Sequence, residues 1–126
     1  MAGKTPEDTM RQLIAAFNAG DIEGALSLYD RDATFVFEPG KSASGLPAIR
    51  GALDGFLASK PALTIESHET VEAGNVALFC TSWSLRSAGP DGSVATRTGK
   101  GAVVLRRQVD GTWVVAVEHP WTDLLR

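Results

Sequence analysis

The sequence predicts an α+β fold in which helices gather on one face of a strongly curved, mostly antiparallel sheet. Two observations carry that expectation. Apolar residues of the first half recur three and four apart, the spacing of a helix face, whereas the second half alternates with the period of two that belongs to strands. The connections between the predicted strands are short and rich in Gly, Asn and Asp, which suits antiparallel neighbours and leaves no room for the crossovers parallel neighbours require. With 126 residues, 44% apolar and 21% charged, the chain suits one domain over 1–126 with a core of its own.

Thr5-Pro6-Glu7-Asp8 reads as a helix start: the threonine caps, proline takes the first helical position, and the acids sit at the positive end of the helix. Met10, Leu13, Ile14 and Phe17 then form one apolar stripe, and Asn18-Ala19-Gly20 ends it. Asp21 caps a second short helix carrying Ile22, Ala25, Leu26 and Tyr29. Ala33 to Phe37 is β-branched and aromatic, so a short strand is expected, stopped by Glu38-Pro39-Gly40. The small residues from Gly40 to Gly45 read as a loop, the movable rim of any cavity. Pro47 opens a third helix bearing Ile49, Leu53, Phe56 and Leu57, which Lys60-Pro61 breaks.

Four longer strands follow, over Leu63 to Val71, Val76 to Ser87, Val94 to Arg107 and Trp113 to His119. Alternation places Ala77, Phe79, Thr81, Trp83 and Leu85 on one side, and groups Arg97, Gly99, Gly101, Val103 and Leu105 in the next strand. In the last strand it sets Trp113, Val115, Val117 and His119 against Val114, Ala116 and Glu118. Both faces of the long strands are partly apolar. Helices can cover one, and a homodimer through the sheet is expected to cover part of the other. Gly99 and Gly101, at alternate positions of one strand, suggest either bending and open space above the sheet or plain tolerance beside a bulge.

The formal charge of -3 is small and evenly spread. No run of Lys and Arg matches a row of phosphates, so no nucleic-acid partner is expected. Cys80 is the sole cysteine, which excludes an internal disulfide and a cysteine zinc cluster; its apolar setting suits a small buried hydrophobe, with a reactive thiol as the alternative. His68 and His119 are the two histidines and share no metal-ligand spacing, so no metal is expected. Glycine patterns for phosphate and nucleotide binding are missing, and no cofactor is expected. No apolar stretch follows Lys4, and none reaches the length of a membrane span, so a cytoplasmic protein away from membranes is the default.

The run Ala15-Ala16-Phe17-Asn18-Ala19-Gly20-Asp21, continuing through Ala25-Leu26-Ser27-Leu28-Tyr29-Asp30-Arg31-Asp32-Ala33-Thr34-Phe35, resembles the opening of the nuclear-transport-factor-2-like superfamily, in particular its SnoaL-like and ketosteroid-isomerase-like members. Gly45, Ile49 and Arg50 resemble the superfamily's Gly-x-x-x-Ile-Arg stretch. Val104-Leu105-Arg106-Arg107, Asp110-Gly111-Thr112-Trp113 and His119-Pro120-Trp121 resemble its last two strands. The resemblance implies a cone-like α+β fold, with three N-terminal helices on a curved mixed sheet that is mostly antiparallel. It says little about activity, because this fold carries many.

Steroid isomerases of this superfamily place a carboxylate before a proline at the end of the first strand as the base, and Glu38 matches it. Their two oxyanion donors fall here on Leu13 and Val103, which donate nothing. Such donors commonly supply several kcal/mol of barrier lowering, so a conventional steroid isomerase is not expected. Glu38, His119 and Arg97 are the candidate catalytic residues. The carboxylate of Glu38 sits either against apolar walls, which would raise its proton affinity, or in a solvated turn. His119 is either a proton carrier or a hydrogen-bonded residue at the mouth of the core. Arg97 suits a carboxylate or enolate ligand, or else a solvated edge. Leu13, Phe17, Phe35, Phe56, Trp83, Val103 and Leu105 are the expected pocket lining. Three readings of function follow. One is an enzyme doing acid-base chemistry on a small, mainly apolar or polycyclic compound. The others are a non-catalytic binder of such a ligand and a dimeric interaction domain with a filled core.

Overall fold

The computed structural model describes residues 2–124. Thr5 caps α1 (Pro6–Ala19), its hydroxyl accepting the Asp8 N–H at 3.1 Å, and Gly20 ends the helix in the left-handed region at φ 71°, where an L side chain would be strained. The Asp21 side chain accepts from the Gly24 N–H to start α2 (Ile22–Leu26). That helix stops at Leu26, so Tyr29 does not extend its stripe as expected. It opens the strand β1 (Tyr29–Glu38), which runs longer than the aromatic core of its sequence suggests.

The stretch after Gly40 is not a loose rim. It forms β2 (Lys41–Ser44) and pairs back on β1, with Phe35 opposite Ala43 and Thr34 opposite Ser44. Small residues have weak strand preference, but the pairing with β1 and the burial of Ala43 hold them in place. α3 (Leu46–Leu57) buries Ile49 and Leu53, four positions apart on one helix face. The helices are therefore split by the β1–β2 hairpin rather than all preceding the sheet.

β3 (Ala62–Ala73), β4 (Val76–Ala88), β5 (Val94–Arg107) and β6 (Trp113–His119) complete a six-stranded sheet in the order β2-β1-β6-β5-β4-β3. β1 runs parallel to β6, while the other neighbours are antiparallel. The sheet is mixed, because the chain must cross from one edge of the fold to the other between β1 and β3. No helix among the described residues is long and apolar enough to cross a membrane.

α1 is tied to the sheet near both ends. The Thr9 hydroxyl donates to the Trp113 carbonyl at 2.8 Å and accepts from the Gly3 N–H at 3.0 Å. The Asn18 side chain pairs with both backbone groups of Leu63, at 2.7 and 2.9 Å. Leu13 and Phe17 are thereby held over the inner face of the sheet. That face carries Phe79, Trp83, Val103, Leu105 and Val115, all buried.

Gly99 and Gly101 do not open space, contrary to one reading of the sequence. A Cβ on Gly99 would lie 2.5 Å from Cζ2 of Trp83, and one on Gly101 would lie 2.9 Å from Cα of Pro120. Their missing side chains are filled by an indole ring and by the returning C-terminal segment.

On the outer face, Val71, Leu78, Val104 and Val117 stand opposite one another in a row across four strands. Val71 is 53% exposed, and Leu78 and Val117 are each 40% exposed.

Candidate functional site

A cavity of about 90 Å³ lies between α1, α3 and the inner face of the sheet, partly open to solvent and walled almost wholly by apolar groups. Leu13, Phe17, Phe35, Phe56, Trp83 and Val103 border it. Leu105 does not: it is fully buried beneath the sheet's inner surface as core.

The polar feature of the wall is a pair that strand alternation hides. β6 contains one residue too many for its partner: Leu105 pairs with Val115 and Val104 with Val117, so Ala116 bulges out of register. A one-residue bulge reverses the facing of everything beyond it. Val117, grouped with Val115 from sequence, turns outward, and Glu118 turns inward beside Val103. On the other side of β6, a second irregularity lets β1 advance from Tyr29 to Thr34 while β6 advances only from Val115 to Val117. Tyr29 and Phe35 thus flank Glu118, and the Tyr29 hydroxyl donates a short hydrogen bond to Glu118 Oε1.

Burial in this apolar setting pushes the Glu118 carboxyl up from 4.5 to about 7, against the opposing effect of the Tyr29 hydrogen bond. Tyr29 is held well above its ordinary value, first by its own burial, then by the charge and hydrogen bond of Glu118. The phenol therefore stays protonated, while the carboxyl exists in both forms near neutral pH. A group poised in this way both accepts and donates protons efficiently. Thr81, opposite Gly101, and His119 add further polar side chains to the wall.

The residues singled out from sequence are not brought together. Glu38 ends β1 at the hairpin turn, where its side chain is 56% exposed, lies 3.4 Å from Lys41 Nζ and takes no part in the cavity wall. The physical reason is that β1 continues into an edge hairpin, which carries Glu38 away from the helices. His119 does border the cavity, and its Nδ1 accepts the Trp121 N–H at 3.1 Å. The neutral imidazole consequently carries its hydrogen on Nε2. Arg97 is exposed, and its guanidinium stacks 4.5 Å from the centre of the Trp121 ring, itself part of the wall. Among the described residues, no cluster of three or more His, Cys, Asp or Glu side chains is placed to hold a metal ion.

The architecture is shared widely. The family model described as SnoaL-like domain matches residues 10–117. The chain belongs to the SnoaL-like domain family. Solved structures share the fold of this SnoaL-like domain. An NTF2-like superfamily protein from Salmonella enterica serovar Typhimurium LT2 superposes with a TM-score of 0.79 at 16% identity, covering 88% of this chain and 83% of that one. A ketosteroid isomerase-like protein from Erwinia carotovora atroseptica superposes with a TM-score of 0.76 at 20% identity, covering 89% of this chain and 88% of that one. At such identities the likeness is one of fold. No curated protein matches the sequence.

Proposed function

We propose that this SnoaL-like domain binds a small, mainly apolar carbonyl compound and moves a proton on the carbon next to the carbonyl, with Glu118 as the acid-base group and Tyr29 holding its carboxylate. The observation that carries the reading is the Tyr29–Glu118 hydrogen bond set in an otherwise apolar cavity wall. In the forward step the Glu118 carboxylate takes the proton, and the C–H electron pair delocalises onto the carbonyl oxygen to give an enolate. Glu118 then delivers the proton to a conjugated carbon, which is isomerisation, or first trades it for one from water and delivers that to the original carbon, which is exchange. Neither outcome needs a co-reactant other than water. The name of the Erwinia relative is in keeping with this class of reaction.

Size narrows the substrate. A cavity of about 150 Å³ in another protein is filled by benzene, and this one measures about 90 Å³. One ring or a short chain suits it, with the remainder at the mouth, and polycyclic compounds are disfavoured. The test is hydrogen exchange of cyclohexanone and 2-cyclohexenone in heavy water, followed by NMR. The wild-type protein is expected to accelerate exchange, and E118Q to lower the catalysed rate by roughly 10²–10⁴-fold, the usual worth of a general base. Binding of these ketones without any acceleration would leave a non-catalytic binder as the better account.

The outer apolar row across Val71, Leu78, Val104 and Val117 supports a homodimer through the sheet. Sedimentation is expected to give a dimer that Leu78→Glu converts to monomer; a monomeric wild-type protein would contradict it.

A further inference from the structure

Two polar groups without a partner among the described residues meet at the Trp121 ring, which forms part of the cavity wall. Trp121 is 4% exposed and borders the cavity, yet its indole Nε1–H finds no acceptor among the described residues. Buried donors are nearly always paired, because a missing partner leaves the desolvation of the group uncompensated. The same ring carries the Arg97 guanidinium on its face. None of the ion pairs among the described residues involves Arg97. Arg97 stands opposite Leu85 in the β4–β5 pairing, and Leu85 and Trp83 border the cavity.

The position of Trp121 is fixed from several sides. Its ring meets Trp83 edge-on at 5.5 Å between centroids. Trp83 Nε1 donates to the Pro120 carbonyl at 2.8 Å, and the Trp121 N–H donates to His119 Nδ1. This indole is therefore a rigid platform rather than a loose terminal residue. Stacking also holds the guanidinium in place while its planar fork of donors stays open to solvent. A buried N–H and a guanidinium, each without a partner among the described residues, describe half of a recognition site. Oxygen-bearing anions, carboxylates above all, supply what both groups lack.

We infer that the ligand of this cavity is a small amphipathic carboxylate, its apolar body lodged among Leu13, Phe17 and Phe56 and its carboxylate received by Arg97 and the Trp121 indole N–H. The inference rests on the reading of the cavity as a binding site and adds the chemical class of what enters. It sets the polar end of the ligand at the Arg97–Trp121 rim, on strand positions away from the Val103 level at which Glu118 stands.

The test compares hexanoate and phenylacetate with their neutral primary amides, hexanamide and phenylacetamide, by calorimetry and by quenching of tryptophan fluorescence. Each acid is expected to bind the wild-type protein at least about tenfold tighter than its amide, and R97Q to bring that ratio to about one. R97K is expected to retain part of the preference. W121F, which keeps an aromatic ring and removes the N–H, is expected to lower the ratio several-fold. Raising salt should weaken the acids and leave the amides unchanged. Equal binding of acid and amide by the wild-type protein, or a preference that survives in R97Q, would overturn the inference while leaving the apolar cavity as a binding site. If neither acids nor amides bind, the cavity reading and the inference fall together.

Discussion

Glu118→Gln is expected to stabilise the folded protein at pH 8 by about 3 kcal/mol relative to the wild type while lowering the proposed proton transfer. The carboxyl has a higher proton affinity in the folded chain, about 7 against 4.5. Its contribution to stability is therefore fully present below pH 4.5 and is lost as the pH rises through about 7, where folding must bury a charge. Each tenfold in proton affinity is worth about 1.4 kcal/mol, which gives the expected size. Glutamine keeps an oxygen to accept from Tyr29 and carries no charge at any pH. Urea denaturation at pH 4.5 and pH 8 checks this: the two proteins should be close in stability at the lower pH and diverge at the higher. A wild-type protein equal to or more stable than E118Q at pH 8 would mean that Glu118 is solvated and ordinary. A residue whose removal raises stability and abolishes activity is retained for function at a cost to the fold.

Trp83→Ala is expected to cost about 3–5 kcal/mol, in the range of large core truncations. Three separate features meet at this side chain. The ring, 5% exposed, fills the space vacated by Gly99, where an added Cβ would lie 2.5 Å from it. Its Nε1–H satisfies the Pro120 carbonyl at 2.8 Å, and its ring packs nearly perpendicular to that of Trp121. Alanine therefore leaves a cavity, an orphaned carbonyl and an unsupported C-terminal segment at once. The measurement is the urea midpoint at an unchanged slope, together with loss of ligand-induced fluorescence change, since the wall of the site goes with the ring. A loss below about 1 kcal/mol would show that the neighbouring segments close the gap.

The long strands and α1 were legible because their signals are local. Val94–Arg107 and Trp113–His119 read correctly from alternation, and Thr5, Pro6 and Gly20 punctuate α1 as their chemistry requires. β2 was missed because Lys41–Ser44 has little intrinsic strand preference and owes its state to a neighbour, β1. The site was missed for a related reason. A single extra residue at Ala116 reverses the facing of Glu118, and no feature of the sequence around Ala116 announces it. Tyr29 falls on the helical spacing of Ile22, Ala25 and Leu26, and the early end of α2 is what delivers it to the sheet. One signal was available: Glu118 is the lone charge directly after five apolar residues, Trp113 to Val117, where a carboxylate has to be either at a surface or held in place. Glu38 drew attention through family resemblance, and the hairpin that follows it puts that position in solvent.

The most direct test is a carbon-13 NMR titration of the Glu118 side-chain carboxyl, assigned by its absence from E118Q. A midpoint of about 7 is expected, and because the Tyr29 hydrogen bond favours the carboxylate, Y29F should move the midpoint upward. A midpoint near 4.5 in the wild-type protein would place Glu118 in water and contradict the proposed site.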